Sequence, residues 1–450
     1  MKVLLTAPPL PEFDAWGKVV EPQIRISPNL GLYLLAAVLE QHGHQVSLVD
    51  PIAFEALFQS PEAIAKSEID VLAISSNSCT WPRVKKLLLA LEKLPSRPRI
   101  VLGGLHVSLL DEYVARTAPA DYLIRGEAEK SFPKLLANLA QGKDPAEVPG
   151  ITFRRGDEVI RTPLGPLLSP EELAELPLPK FELMPEGYYD AIPIETSRGC
   201  FYACIFCSIA YKRSWRGIKP QVLAERFQKL LPHLARTRKR YFFIVDDCFT
   251  ADHERLIQVA EQWAGIHSQL VFEARITDLI TPGLLEAITK LPVGVMEMGV
   301  EAGYEEGLRK VGKKLTVAEV NLAAELLAKH GLSEKARFSF IMGLPWETRR
   351  EIFKTLEFAF KLAHRQNSRL IVSWLRVFPE SLVWRKRKEW GMQIEAEDFE
   401  QERWWMSEDV FRRTHPRVDL DRDIAPILTY VKFLMRLFPD IRHDGDFKWL

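Results

Sequence analysis

The sequence predicts an α/β protein with a doubly wound parallel sheet, a partial barrel of β/α units and a helical C-terminal region. Apolar strand-like segments alternate with helix-like patterns in two separate series along the 450 residues. The strand-like segments, such as "KVLLTA" and "RIVLGG" in the first series and "RLIVSWLRV" in the second, are rich in Val, Ile and Leu. Such strands, alternating with helices, are typical of parallel sheets buried on both faces.

The first series spans residues 1–140 and predicts a Rossmann-like, doubly wound parallel sheet. Helical patterns over 30–42 and 83–94 separate its strand segments. Ligands of such sheets bind beyond the carboxyl ends of the strands. We therefore expect a cofactor to contact the residues that follow these strands, which are Ser75, Ser76, Gly103, Gly104, His106, Arg125, Gly126 and Glu127.

The rest of the chain divides into three parts. Residues 141–188 contain a hairpin pattern and then a proline-rich stretch, which predicts a linker. Residues 189–379 hold six strand-like segments separated by helical patterns, which predict a partial (β/α)6 barrel with its chemistry at the carboxyl ends of the strands. Residues 380–450 predict a helical tail rich in aromatic and charged side chains.

Composition and charge limit the possible partners and location. Lys plus Arg and Asp plus Glu both number 60, so the net charge is zero and nothing favours a nucleic-acid partner. The longest apolar run, "LGLYLLAAVL", is too short to span a bilayer. The N-terminal residues "MKVLLTAPPLPEF" do not have the pattern of a signal peptide. We expect a cytoplasmic protein.

Three of the five cysteines lie close together as Cys200, Cys204 and Cys207, directly after the first strand-like segment of the second series. A structural zinc site would need a fourth ligand, and neither His233 nor Cys248 has the spacing for it. A four-iron cluster takes one ligand per iron, so three cysteines would leave one iron open to an outside ligand. We interpret the stretch as the ligand set of a redox cluster.

The C-x-x-x-C-x-x-C spacing, the lead-in "TSRGC" and the aromatic Phe206 before the last cysteine resemble the radical SAM superfamily. The resemblance implies a [4Fe-4S] cluster whose open iron binds S-adenosylmethionine, and cleavage of that molecule to a 5′-deoxyadenosyl radical. It further implies cofactor contacts at the ends of the later strands. The residues matching those positions are Asp246 and Asp247 in "FFIVDDCFT", Arg275 in "FEARI", Glu301 in "MGVEAG" and Gly343 in "FIMGLPWET".

The N-terminal series, with "NLGLYLLAAVLEQHGHQVSLVD", "GGLHVSLL" and "DYLIRGEAE", resembles the cobalamin-binding domain that is fused to many radical SAM enzymes. The D-x-H-x-x-G motif, whose histidine binds cobalt in many such domains, is not found here. The resemblance therefore implies cobalamin bound without a protein ligand to the metal.

Together the two resemblances imply a cobalamin-dependent methyltransferase that acts on an unactivated carbon. Two alternatives stay open, namely a radical cyclisation, dehydration, rearrangement or oxidation without methyl transfer, and a non-catalytic metal- or cobalamin-binding module. The implied partners are an electron donor such as a flavodoxin or ferredoxin and a substrate that is a small molecule, lipid or peptide. No catalytic side chain is assigned to the transfer itself, and structural roles are expected for Cys79 and Cys248.

Overall fold

The computed structural model describes residues 1–9, 12–13, 19–20, 26–209, 211–263 and 267–443. The chain forms two compact units. Unit 1 comprises residues 1–190, 235–238 and 395–404, and unit 2 comprises residues 191–234, 239–394 and 405–450. No helix of the described ranges is both long and apolar enough to cross a membrane. The divisions drawn from the sequence at residues 140, 188 and 379 stay predictions.

Unit 1 contains a seven-stranded sheet with the order β4-β1-β5-β6-β7-β8-β9. Strands β1 to β7 of this sheet run parallel, and β8 and β9 form an antiparallel hairpin at its edge. Its strands are β1 (Lys2–Thr6), β4 (Gln45–Val49), β5 (Val71–Ser75), β6 (Arg99–Gly103), β7 (Tyr122–Ile124), β8 (Ile151–Arg155) and β9 (Glu158–Arg161), while β2 (Glu12–Phe13) pairs with β3 (Val19–Val20).

The helices of unit 1 are α1 (Leu30–Gln41), α2 (Phe54–Gln59), α3 (Pro61–Lys66), α4 (Trp81–Glu92), α5 (Leu105–Leu109), α6 (Asp111–Thr117), α7 (Ala128–Gln141) and α8 (Pro170–Glu175). A segment from late in the chain, residues 395–404, also belongs to this unit. Its Glu400 accepts hydrogen bonds from Lys85 of α4 and Tyr113 of α6. Its Trp404 donates to the carbonyl oxygen of Ser78 at 3.0 Å.

Unit 2 contains a second sheet with the order β10-β13-β14-β15-β16-β17-β18, in which all neighbours run parallel. Its strands are β10 (Ala191–Ile194), β13 (Tyr241–Ile244), β14 (Leu270–Ala274), β15 (Val293–Glu301), β16 (Ala336–Met342), β17 (Arg369–Trp374) and β18 (Arg442–His443). A small antiparallel ladder joins β11 (Ser197–Arg198) to β12 (Arg216–Gly217).

The helices of unit 2 are α9 (Pro220–Leu230), α10 (His253–Gln262), α11 (Ile276–Leu279), α12 (Leu284–Thr289), α13 (Glu305–Val311), α14 (Val317–Lys329), α15 (Arg349–Gln366), α16 (Leu382–Arg385), α17 (Glu408–Thr414) and α18 (Leu420–Leu437). Capping boxes begin two of them, Thr316 with Glu319 before α14 and Thr348 with Glu351 before α15. Each box satisfies backbone N–H groups that the first turn leaves unbonded. The predicted fold class, two parallel α/β sheets with a helical C-terminal region, is confirmed.

Candidate active site in unit 2

A cavity of about 560 Å³ opens at the carboxyl ends of strands β13 to β17 and is closed on one side by the cysteine loop. The lining brings together most of the site residues predicted for unit 2. These are Cys200, Cys204, Phe206, Cys207, Asp246, Asp247, Arg275 and Glu301. Gly343, predicted for the same site, is not among the lining residues.

The cysteine loop is fixed to the sheet at its beginning. Asp246, which follows β13, accepts hydrogen bonds from the backbone N–H of Thr196 at 2.7 Å and from the Ser197 hydroxyl at 2.5 Å. Asp247 accepts from the N–H of Gly199 at 3.1 Å. Gly199 has φ +81°, and a Cβ there would lie 2.5 Å from the carbonyl oxygen of Ser214. The lead-in "TSRGC" therefore supplies the glycine and the donors that hold the loop in place.

The donor set on the cavity wall fits an iron–sulfur cluster. Cys200, Cys204 and Cys207 all line the cavity. A four-iron cluster places each thiolate on a different iron. The three cysteines would hold three irons and leave the fourth facing the cavity.

Burial opposes ionisation of the Cys200 and Cys207 thiols in the absence of a metal. It raises the pKa of Cys200, and it raises the pKa of Cys207 to about 11. A buried thiolate is stable only when a positive charge compensates it, and a metal cluster provides that charge.

The two aspartates after β13 differ in their surroundings. Burial raises the pKa of Asp246, whereas the charge of Arg255 and the hydrogen bonds from Ser197 and Thr196 lower it. Arg255 also binds the carbonyl oxygens of Ile218 at 2.8 Å and Thr196 at 2.6 Å. Burial and the neighbouring Asp246 raise the pKa of Asp247. Asp246 is thus held by a structural network, and contact with the cofactor stays a prediction for both residues.

Arg275 is held over an aromatic ring at the end of β14. Its guanidinium carbon lies 3.6 Å from the ring centre of Tyr202, a residue of the cysteine loop, and its Nε donates to Thr277 at 2.8 Å. This cation–π contact orients the guanidinium group at the cavity wall. An oriented guanidinium is suited to bind a carboxylate with two hydrogen bonds. The predicted cofactor contact of Arg275 stays a prediction.

Glu301 ends β15 with a backbone conformation that is rare for a non-glycine residue. Its φ is +75°, and the register between β15 and β16 shifts between Gly299 and Glu301. The carboxylate pairs with Lys313, whose Nζ also donates to the carbonyl oxygen of Gly299 at 2.7 Å. A Cβ on Gly299 would lie 2.1 Å from the Glu301 carboxylate. The strained backbone at Glu301 holds this ion pair on the cavity wall, and strain of this kind is concentrated at functional sites.

Gly343 lies at a second tight contact in unit 2. It has φ +74°, and a Cβ there would lie 2.5 Å from the imidazole of His415 and 2.9 Å from the indole of Trp374. The glycine is therefore required by the packing of the chain itself. Its predicted contact with the cofactor stays a prediction.

Several lining residues were not predicted from the sequence. They include Tyr202, Glu273, Glu297, Lys313, Ser339 and Ser373. The signal for the two glutamates is visible in "VFEARI" and "VMEMGVE", where a carboxylate interrupts an apolar strand. Lys313 gave no such signal because it follows a helix and reaches the cavity only through the fold.

In unit 1, the predicted residues after β5 and β6 come together. Ser75 is opposite Gly103 in the parallel register, and the N–H groups of Ser76 and His106 bind the carbonyl oxygens of Gly103 at 3.0 Å and Ser76 at 3.1 Å. Gly104 has φ +90°, and a Cβ there would lie 2.5 Å from the Ser76 carbonyl oxygen. Only small side chains occupy these two strand ends, and the predicted cofactor contacts of Ser75, Ser76, Gly103 and Gly104 stay predictions.

His106 is fully buried in unit 1. Its ring stacks on Trp81 with 4.8 Å between the ring centres and contacts the edge of Phe399, and its Nδ1 lies 3.1 Å from the Ser78 hydroxyl. Burial lowers the pKa of His106 to about 3, so the ring is neutral at physiological pH. Its Nε2 has no hydrogen-bond partner in the described structure and is shielded from solvent. The predicted contact of His106 with a cofactor stays a prediction.

The residues after β7 are engaged in internal contacts. The buried Arg125 pairs with Asp111 at 3.3 Å and donates to the carbonyl oxygen of Thr162 in the hairpin segment. Gly126 binds the Ser108 hydroxyl at 3.0 Å, and Glu127 accepts from the N–H of Leu168 at 2.7 Å. These contacts tie the end of β7 to the neighbouring segments, and the predicted cofactor contacts of the three residues stay predictions.

Comparisons with known proteins match a separate family model to each of two regions of the chain. Residues 25–136 match the family model "B12 binding domain", and residues 194–359 match the model "Radical SAM superfamily". An "Uncharacterized methyltransferase" of Pyrococcus horikoshii is 28% identical over 373 residues, which are 80% of this chain and 78% of that protein. An "Anaerobic magnesium-protoporphyrin IX monomethyl ester cyclase" of Synechocystis is 26% identical over 349 residues, which are 74% of this chain and 67% of that protein.

Among solved structures, the radical S-adenosylmethionine methyltransferase TsrM from Kitasatospora setae, with cobalamin and a [4Fe-4S] cluster bound, superposes with a TM-score of 0.69. The superposition covers 88% of this chain and 79% of the TsrM chain at 15% identity. It shows that the fold is shared.

Proposed function

Because this chain belongs to the radical SAM superfamily and carries a B12-binding domain, we propose that it transfers a methyl group to an unactivated carbon of its substrate. Its cofactors are a [4Fe-4S] cluster, S-adenosylmethionine and cobalamin. The observation that carries the proposal is the gathering of Cys200, Cys204 and Cys207 with Arg275 and Glu301 on one cavity, in a chain whose N-terminal residues form the B12-binding domain.

Different residues of unit 2 would hold different parts of the cofactors. When bound, the cluster supplies the electron that cleaves S-adenosylmethionine to methionine and a 5′-deoxyadenosyl radical, and cobalamin carries the methyl group. Cys200, Cys204 and Cys207 would hold the cluster. Arg275 would bind the methionine carboxylate, and Glu301 would bind the ribose hydroxyls. The Lys313 pair and the Tyr202 ring would keep these two groups oriented before the ligand arrives.

The remaining cavity wall would exclude water from the radical. Phe206, Ile209, Val245, Ile341 and Ile371 line it with apolar side chains. A radical that abstracts hydrogen from an unactivated carbon needs a substrate held close and few competing reactants.

The proposal includes an electron donor. The loop after Cys207 carries Lys212, Arg213 and Arg216, and Arg213 is exposed to solvent with φ +63°. Such a basic surface beside the cysteine ligands would suit an acidic electron-transfer protein of the flavodoxin or ferredoxin type.

The test is the product ratio of the anaerobically reconstituted protein, with added reductant and S-adenosylmethionine, with and without cobalamin. We expect 5′-deoxyadenosine in both samples and S-adenosylhomocysteine only with cobalamin. The Cys207→Ala variant should form no 5′-deoxyadenosine, whereas the matched Cys79→Ala variant, which removes a thiol from unit 1, should form it normally.

A second candidate is a radical cyclisation or another rearrangement without methyl transfer. The match to the Synechocystis cyclase favours it, because that relative covers nearly three quarters of this chain. This reaction would give 5′-deoxyadenosine and methionine without S-adenosylhomocysteine, even when cobalamin is bound. A protein that forms none of these products would be a binding module.

A further inference from the structure

The cavity of unit 2 is lined by five carboxylates, and four of them already have a partner. Asp246 and Asp247 accept hydrogen bonds from the cysteine loop. Glu301 pairs with Lys313, and Glu297 lies 3.4 Å from the guanidinium of Arg337. The fifth is Glu273, for which the described part of the chain provides neither a hydrogen bond nor an ion pair.

The position of Glu273 follows from the strand register. Glu273 on β14 is opposite Glu297 on β15, and Glu297 is opposite Arg337 on β16. Neighbouring strands lie about 4.8 Å apart, so the three side chains form one row across the sheet. In this row Arg337 contacts the nearer carboxylate, that of Glu297. Glu273 therefore lies at the end of the row away from Arg337, and the nearby charge of Lys313, which lowers its pKa, is already paired with Glu301.

The surroundings of Glu273 make an uncompensated charge unfavourable. Glu273 is exposed to solvent on the cavity side, while protein atoms of the sheet crowd its carboxylate. Burial, together with the charges of Glu297 and Asp247, raises the pKa of Glu273 to about 7. A carboxylate so placed is stabilised by a cation that enters the cavity.

We propose that Glu273 binds a positively charged nitrogen of the substrate, such as a protonated amine or a guanidinium group. The proposal rests on the proposed function, because it assigns the substrate class to the same cavity. Apolar side chains elsewhere on the same cavity, including Val245, Ile341 and Ile371, would contact the uncharged part of that substrate. An ammonium or guanidinium donor forms a charge-assisted hydrogen bond that a neutral donor of the same size cannot match.

The test compares two probes of equal length and different charge, n-hexylammonium and 1-hexanol. Their dissociation constants are measured by saturation-transfer NMR on the full-length protein with its cluster and S-adenosylmethionine in place. We expect the unsubstituted protein to bind the ammonium probe at least about tenfold more tightly than the alcohol. In Glu273→Gln the two probes should have nearly equal dissociation constants, with a ratio of about one, while the affinity for the alcohol is retained. The matched control Glu306→Gln removes an equal charge from an exposed ion pair on α13 and should keep the full preference.

Two results would overturn the proposal. One is equal affinity of the unsubstituted protein for the two probes, a comparison that does not depend on the folding of any variant. The other is a Glu273→Gln variant that loses affinity for S-adenosylmethionine together with the ammonium probe, since Glu273 would then belong to the cofactor site. Probe binding needs no turnover, so the absence of S-adenosylhomocysteine in the product assay would reject methyl transfer and leave the cation preference as a separate result.

Discussion

The carboxyl edges of the two sheets have a similar architecture but carry different kinds of side chain. Beyond β5 and β6 of unit 1, the chain places small residues such as Ser76 and Gly104 and buries the neutral ring of His106. Beyond β13 to β15 of unit 2, it places charged groups such as Arg275 and Glu301 on a cavity. The first edge is suited to bind by shape and the second by charge. Substitutions at the first edge should therefore act through steric contacts, and substitutions at the second through electrostatics.

The largest expected effect is loss of the cluster. Cys200→Ala removes one of three thiolate ligands, and the remaining two cannot hold a four-iron cluster with an open iron. We expect formation of 5′-deoxyadenosine to fall below detection, and the absorbance of the reconstituted cluster to be lost. Binding of cobalamin should persist, because that cofactor belongs to unit 1. If the variant kept both the cluster and the cleavage, the assignment of Cys200 as a ligand would be wrong.

The contrast between the two edges also explains what could be predicted from sequence. The cysteine spacing is local, so three ligands were recognisable from eight consecutive residues. Arg275 and Glu301 follow apolar strands, and parallel strands bring their carboxyl ends to one edge. Glu273 and Glu297 were missed because they lie inside strands, where only the register shows that they are neighbours.

In unit 1, too, the surroundings of the predicted residues could not be read from the sequence. Arg125 and His106 were predicted to contact a cofactor because they follow strands. Their surroundings depend on segments that are distant in sequence, since Thr162 binds Arg125 and Phe399 packs on His106. Burial and pairing of this kind are tertiary properties, and a single sequence does not encode them in a readable pattern.

The second prediction tests the shape-based edge of unit 1. Gly104→Ala introduces a Cβ 2.5 Å from the Ser76 carbonyl oxygen at a positive φ, so the backbone must shift. We expect the free energy of unfolding of unit 1 to fall by about 3 kcal/mol and cobalamin to bind more weakly. Gly142→Ala is the matched control, because it has φ +66° and no atom within 4 Å of the new Cβ. Gly142→Ala should lower the free energy of unfolding, measured by urea titration, by only about 1 kcal/mol. Equal losses in the two variants would show that the close contact at Gly104 does not matter.

The third prediction tests the charge-based edge of unit 2. Glu301→Gln removes the charge that pairs with Lys313 and weakens the hydrogen bonds expected to the ribose. We expect the dissociation constant for S-adenosylmethionine to rise by about 10- to 100-fold, with the cluster spectrum unchanged. Equilibrium dialysis with labelled S-adenosylmethionine measures it. The exposed ion pair of Glu380 with Arg385 offers a control, and Glu380→Gln should leave this affinity unchanged. A loss of cluster in Glu301→Gln would instead mean that the ion pair supports the fold.

The smallest effect concerns the pH dependence of unit 1. Burial lowers the pKa of His106 to about 3 in the folded protein, from 6.5 when the ring is solvated. The unfolded chain therefore binds a proton below pH 6.5 that the folded chain excludes until about pH 3. The contribution of His106 to stability is complete above pH 6.5 and is lost as the pH falls, by up to about 1.4 kcal/mol per pH unit. Urea titrations at pH 7 and pH 5 measure this loss.

His106→Gln, which cannot be protonated, should remove this part of the pH dependence even if it lowers stability at both pH values. The same slope in both proteins would show that the ring is solvated, and that this edge of unit 1 is more open than the structure indicates.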